Sequence, residues 1–459
     1  MLRIDRASLD GFMKGSHVEM RLLNCKTLEF EEFHGGNTPG YSILSHRWGE
    51  DEVSYKEFRK GLRRSCAGYK KILEFCTFVR GADWGSSNYL LRTDYAWIDT
   101  CCIDKRSNSE LSESINSMFD WYKHSQLCVA FLADVPPPSR RFSDMCRTLG
   151  DSNYFRRGWT LQEMLAPVRV VFVNRSWNVM GHKCSYFESL GRTTECDHSN
   201  FGPPINERLS TITGIQTRYL LNPREIPRAS VAQRMSWAAT RTTTRPEDRT
   251  YSLLGLFGIS MPLLYGEGHR AFRRLQEEII RTSDDQSIFA WYLGSSRGDE
   301  ADRVSVASAE AVDGGLGAVD GPPSWSAPTG MLALSPSDFL HCADMLPFIS
   351  DDSPAYSITN RGVELECSAD KLYVHRRDPS ADALFVIRLN WGYVTGDHGG
   401  RPTAPQQVKI ALTQFSFRKT RLVRASPEKS PGQLERFLRN LKCKPIKRMH
   451  FVVLASIDL

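Results

Sequence analysis

Tyr41-Ser42-Ile43-Leu44-Ser45-His46, followed at once by Arg47-Trp48-Gly49-Glu50-Asp51, is a short, largely apolar run that empties into a polar loop. Such a run reads as a buried strand feeding a loop. Downstream, Tyr69 to Val79 has helical spacing, and Tyr95-Ala96-Trp97-Ile98-Asp99 is again a short strand. The clearest helix follows, because Leu111, Ile115, Met118, Phe119 and Tyr122 fall at helical intervals on one face. Leu127 to Leu132 reads as a third buried strand, ended by Pro136, Pro137 and Pro138. A helix around Thr160 to Ala166 is stopped by Pro167, and Val168 to Val173 is a fourth strand. Four apolar strands separated by helices predict an α/β domain whose parallel sheet is covered on both faces.

From about Ser230 the pattern turns helical: Val231 to Thr240, Tyr251 to Gly258, and His269 to about Arg281. Gly266-Glu267-Gly268 lacks the Lys and Ser/Thr of a phosphate loop and reads as a turn into the last of these helices. The tract from Ser295 to Pro328 is rich in Gly, Ala, Ser and Asp and reads as a mobile linker. Beyond it the chain is strand-like and turn-punctuated, consistent with a small sandwich or barrel. The expected organisation is an α/β domain over 1–229, a helical extension packing on it over 230–294, a linker over 295–328 and a β-rich domain over 329–459.

Composition narrows the function classes. At 459 residues with 41% hydrophobic content, the chain is long enough for two or three folded domains. The net charge of +6 is the small difference of 59 basic and 53 acidic residues, interspersed without a basic run, so nucleic acid is not an expected partner. No apolar stretch approaches the ~18 residues of a membrane span, and Met1 to Arg6 lacks the apolar core of an export signal. A cytoplasmic protein with no membrane partner is expected, its 12 scattered cysteines reduced. His182, Cys184, Cys196 and His198 have metal-ligand types without zinc-knuckle spacing, so no metal is expected.

Ligands of open parallel sheets sit beyond the carboxyl ends of the strands. The polar residues there are Ser45 to Gly49, Asp99 to Asp104, the segment after Leu132, and Arg156 to Glu163. Trp159 and Glu163 share a helix face, with Arg156 one turn earlier. A carboxylate beside an indole and a guanidinium suits a polar, cationic ligand in a partly dry pocket. The same spacing also fits a core aromatic with a solvent-side acid. Ser45 and His46 are adjacent on a strand and point to opposite faces, which argues against a hydrolase triad. Glu110 and Glu113 head a helix, where acids suit the dipole and a structural role.

Tyr41 to Gly49 (YSILSHRWG), Trp97 to Asp104 (WIDTCCID), Glu110 to Tyr122, Arg157 to Leu165 (RGWTLQEML) and Arg249 to Glu267 resemble, in order and spacing, the motifs of fungal heterokaryon-incompatibility (HET) domain proteins. The resemblance covers about Met20 to Trp291. The HET fold is similar to the TIR domain, which implies a TIR/flavodoxin-like parallel sheet flanked by helices. Trp159-x-x-x-Glu163 resembles the Trp-Cys-x-x-Glu helix of TIR domains, whose Glu is catalytic in NAD-cleaving members; here Thr160 stands where Cys is frequent.

The resemblance therefore implies an effector of fungal cell death that hydrolyses NAD+, a consumed substrate, with no resident cofactor. It makes Glu163 the catalytic carboxylate, and Ser45, Arg47, Trp48, Asp99, Arg157 and Trp159 the substrate-binding set. Arg47 is expected on the pyrophosphate. The loop from Thr100 to Asn108 shapes the entrance. TIR-type sites completed between copies imply a homo-oligomer, and the absence of a P-loop or repeats in this sequence implies a stand-alone effector or a partner sensor protein. The alternative is a non-enzymatic scaffold that self-associates and recruits a death effector.

Overall fold

The computed structural model describes residues 20–81, 92–137, 148–184, 201–291 and 331–347, together with the backbone of strands beyond residue 347. It divides into two compact units, residues 1–229 with 240–271, and residues 230–239 with 272–459. The partition cuts across the extension expected over 230–294, and the tract 295–328 lies outside the described residues.

The first unit is built on seven strands: β1 (Met20–Asn24), β2 (Phe30–Phe33), β3 (Tyr41–His46), β4 (Tyr95–Trp97), β5 (Leu127–Leu132), β6 (Arg169–Asn174) and β7 (Val179–Cys184). Their spatial order is β2-β1-β4-β3-β5-β6-β7. The central four, β4-β3-β5-β6, are parallel, as the apolar runs predict. The sheet as a whole is mixed, which corrects the expectation of a purely parallel one. An antiparallel β1–β2 hairpin closes one edge and antiparallel β7 the other. In chain order the four parallel strands stand 2-1-3-4, so the progression reverses between β3 and β5. At such a reversal the flanking crossovers diverge and leave a crevice beyond the strand ends.

The described α-helices are α1 (Tyr55–Arg59), α2 (Ala67–Arg80), α3 (Asn108–His124), α4 (Thr160–Leu165), α5 (Asn206–Thr213), α6 (Thr217–Leu221), α7 (Val231–Ser236), α8 (Asp248–Tyr251), α9 (Leu254–Phe257) and α10 (Arg270–Thr282). Strand alternation sorts some of them onto opposite faces. Tyr41 and Ser45 of β3 and Cys128 of β5 bond to Trp121 of α3 and Glu163 of α4. His46 and Phe131 face the other way, toward Glu52 and toward Trp177, which stacks with Phe75 and Phe78 of α2. Both layers are apolar: β3 and β5 are buried along their whole length, and Trp97 packs edge-on against Trp121 and Tyr122. Each such large side chain contributes about 1.5–3 kcal/mol by leaving water.

Helix α3 starts at Ser107, whose hydroxyl accepts from the Glu110 amide at 3.3 Å. Its flank receives the segment after α9, where the Asn116 amide accepts from Met261 N at 3.1 Å and donates to Met261 O at 3.3 Å. In the second unit, the backbone amides of Val231 and Ala232 donate to Asp285 and Ser287, and the buried Gln276 amide pairs with both backbone groups of Ala333. Its sheet has the order β8-β11-β12-β13-β14-β10-β9, from β8 (Met345–Pro347), β9 (Tyr356–Thr359), β10 (Gly362–Tyr373), β11 (Ala383–Tyr393), β12 (Gln406–Gln414), β13 (Leu422–Ala425) and β14 (Lys444–Val453). A further β10–β11 pairing closes β10 to β14 into a ring, which selects the barrel among the two expected forms. Among the described residues no helix is long and apolar enough to cross a membrane.

Gly255 is where α9 meets α3: a Cβ there would lie 2.0 Å from Phe119 Cβ. Gly255→Ala should therefore destabilise the first unit by about 1–3 kcal/mol, read as a lowered melting temperature. Gly36→Ala, where a Cβ meets nothing within 4 Å, is the control and should melt with the parent.

Candidate active site

Ser45 lies near the carboxyl end of β3, at the reversal between β3 and β5, with its side chain toward α4. The entry to α4 is tightly fixed. Gly158 N donates to Thr242 O at 2.9 Å, and a Cβ on Gly158 would meet Thr243 Cγ2 at 2.6 Å. The Thr160 hydroxyl donates to the carbonyls of Tyr154 and Arg157. Three residues later Glu163, only 5% exposed, accepts the Ser45 hydroxyl at 2.6 Å. Ser45 Oγ is also 2.7 Å from the buried Tyr154 hydroxyl.

Burial pushes the Glu163 carboxyl up to about 8, and the negative charge of Asp99 adds to it; Ser45, Arg157 and Tyr122 act in the opposite direction. At neutral pH the empty site therefore holds a mostly protonated acid. Arg241, 2% exposed, donates to the Arg157 carbonyl at 3.0 Å and sits 3.2 Å from Thr160 Oγ1. Burial lowers its guanidinium to about 10, while the nearby Tyr154 and Glu163 favour its charge. It stays cationic.

A second group gathers around Asp99, just beyond β4. The Trp48 indole N–H donates to Asp99 Oδ2 at 2.7 Å, Lys105 Nζ stands 3.5 Å from the centre of the Trp48 ring, and the Arg157 guanidinium carbon 5.2 Å. His46 is buried between Glu52 at 3.7 Å and Asp99 at 3.9 Å. Burial and the Lys71 charge lower its pKa, so it is neutral. Glu52 stays ionised despite burial because the Lys71 ammonium, at 2.6 Å, favours its charge. The loop carrying Asp99 and Lys105 is anchored from behind: Arg21 donates to the Cys102 carbonyl and Glu110, and the Asp104 amide donates to the same Glu110 carboxylate.

Of the residues predicted from sequence, Ser45 and Glu163 are in direct contact. Trp48, Asp99 and Arg157 form the neighbouring group, and the fields of Asp99 and Arg157 reach Glu163. Trp159 precedes α4 with its side chain hydrogen-bonded to Asp248. Arg47 is exposed and makes no hydrogen bond or ion pair to the others among the described residues. Sequence reasoning missed Tyr154 and Arg241, which meet Ser45 and Thr160 across long separations, and placed Lys105 only within the entrance loop without a role of its own. His182 and Cys184 lie on β7, with His182 Nδ1 3.0 Å from the Gly202 carbonyl, while Cys196 and His198 lie outside the described residues. Gly266 and Gly268 do form a turn, at φ +101° and +58°, and both their amides donate to Glu247 Oε1.

Residues 41–142 match the model of the heterokaryon incompatibility protein (HET) family, and residues 270–359 match a domain of unknown function, DUF8212. The chain is also 37% identical over 261 residues to the vegetative incompatibility protein HET-E-1 of Podospora anserina. That alignment covers 54% of this chain and 17% of the relative, so the chain spans about one-sixth of that protein's length. The two matches show that the first part of the chain is similar to heterokaryon-incompatibility proteins. No solved structure matches the chain.

The buried acid has a stability signature. Its folded pKa, about 8, exceeds the ordinary 4.5, so between those values the folded state holds a proton that the unfolded chain has released. Its contribution is fullest below 4.5 and is lost as pH rises toward 8. Glu163→Gln removes this dependence. In denaturant titrations, the stability of the variant relative to the parent should rise by about 1.4 kcal/mol per pH unit across that window.

Proposed function

We propose that this chain is a fungal incompatibility effector that triggers cell death from the cytoplasm by hydrolysing NAD+ to nicotinamide and ADP-ribose at Glu163. The observation that carries the reading is the buried Ser45–Glu163 pair at the reversal of strand order. The 2-1-3-4 order of the parallel strands also supports the TIR/flavodoxin-like class, because doubly wound sheets bind ligands at that crevice.

The chemistry asks little of the protein. The glycosidic bond to nicotinamide breaks with its electron pair going to the pyridinium nitrogen, so the leaving group departs neutral without a general acid. Positive charge develops on the ribose, and an adjacent carboxylate stabilises it. Water then adds to the anomeric carbon and loses a proton. Ser45 holds Glu163 in one orientation, and the cationic nicotinamide favours the ionised carboxylate that burial otherwise suppresses.

Glu163 is nearly enclosed, so a substrate reaches it only when neighbouring side chains give way. Assembly of copies through this domain, driven by a partner sensor protein, is the proposed trigger. The enclosure also favours a second reading, a non-enzymatic scaffold that self-associates and recruits a death effector.

Purified protein, concentrated until it assembles, should release nicotinamide from NAD+, and Glu163→Gln should lower the rate at least ~100-fold while assembling normally. For the parent, kcat/KM should rise with pH, pass half its maximum near 8 and level off above it. Assembled parent protein that leaves NAD+ untouched would move the weight to the scaffold.

A further inference from the structure

Lys105 and Arg157 are two cations that have the Asp99 carboxylate nearby but no counter-ion in direct contact. Both stand near the ring of Trp48, at 3.5 and 5.2 Å, and neither makes an ion pair among the described residues. Each charge raises the cost of the other, and Lys105 is further penalised by burial. A cation resting on an indole gains about 0.5–2 kcal/mol. A charge-assisted hydrogen bond to a phosphate oxygen is a stronger partner, and Arg can make two in parallel.

The surroundings also lack partners. Thr100 Oγ1, Arg157 Nε and Asp99 Oδ1 are buried and make no hydrogen bond. Thr100 as a whole is 3% exposed, so its hydroxyl is sealed from solvent with nothing to bond. Trp48 is different: 40% exposed, it is among the most exposed large apolar side chains described, and it is held to Asp99 by its indole N–H. Two cations, a ring face and two unused donors, the Thr100 hydroxyl and Arg157 Nε, therefore share one place near Glu163, beside the Asp99 carboxylate, whose Oδ1 can only accept. An anionic group with an attached flat ring would use the cations, the ring and those donors.

We infer that Trp48, Lys105 and Arg157 are the receptor for an adenosine diphosphate group, the phosphates taking over the two cations and the base stacking on the indole that they vacate. The inference rests on the NAD+ reading of the same site, because NAD+ carries this group. It moves the diphosphate contact expected of Arg47 to Lys105 and Arg157, since Arg47 points no hydrogen bond or ion pair into the cluster.

The probe is ADP, which has no nicotinamide to lose, titrated calorimetrically into the full chain. Binding is expected, weakening at least tenfold in Lys105→Gln and in Arg157→Gln and retained in Lys105→Arg, with thermal melts of all variants run in parallel. Affinity should fall steeply as salt rises. Inorganic pyrophosphate should bind more weakly than ADP, and adenosine should not compete. Absence of ADP binding to the parent overturns the inference, and so does binding that both charge-removing variants leave unchanged. If that second result comes with NAD+ loss by the parent, the cleavage reading survives alone. ADP binding that depends on Lys105 in an assembled protein that spares NAD+ supports the receptor and removes the cleavage.

Discussion

The buried hydrogen bond from Ser45 to Glu163 depends on nearly everything else in the first unit being in place. It joins a strand to a helix that are 118 residues apart in the chain. Sealing a carboxyl in that position is costly, and the protein meets the cost by protonating it and surrounding it with hydroxyls. A packed core has no use for such a group, since an apolar side chain of the same volume would do as well there. That makes Glu163 a candidate for chemistry on physical grounds, independently of any resemblance.

The helix that presents Glu163 has six residues, too short to hold itself together. Its position is imposed from both ends. Arg241 grips the Arg157 carbonyl ahead of the first turn. At the far end Lys183, buried on β7, donates to the carbonyls of Leu165 and Pro167. Burial lowers that amine to about 7, so its hold on the helix end is weakest in the pH range where Glu163 ionises. Two buried basic side chains thus do for α4 what a longer helix would do with its own hydrogen bonds. The carboxyl is in this way tied to the fold of the whole unit.

This arrangement explains what could be read from the sequence. The parallel strands were legible because burial on both faces makes them continuous apolar runs, as in Leu127 to Leu132. The edge strands were not. β2 is Phe30-Glu31-Glu32-Phe33, half acid, and β7 contains Gly181 and Lys183, residues that argue against a strand until the lysine's carbonyl partners are seen. The site divides in the same manner. Ser45 and Glu163 stood out through strand ends and local motifs, whereas Tyr154 and Arg241 carry no local signal because their roles exist only across the fold, and Lys105 was marked only as part of the entrance loop. Arg47 is expected at the same strand end as Ser45 and Trp48, and it lies exposed on the loop after β3.

The two groups of residues divide the work by their dielectric surroundings. Ser45, Tyr154 and Glu163 are dry, where a single charge is felt strongly and a neutral acid is the resting form. Trp48, Lys105 and Arg157 are partly wet, where charge can be kept without protonation change and exchanged for a ligand's charge. Arg157 and the buried Arg241 both favour the charge on Glu163, yet burial outweighs them and the neutral acid is the form held near pH 7.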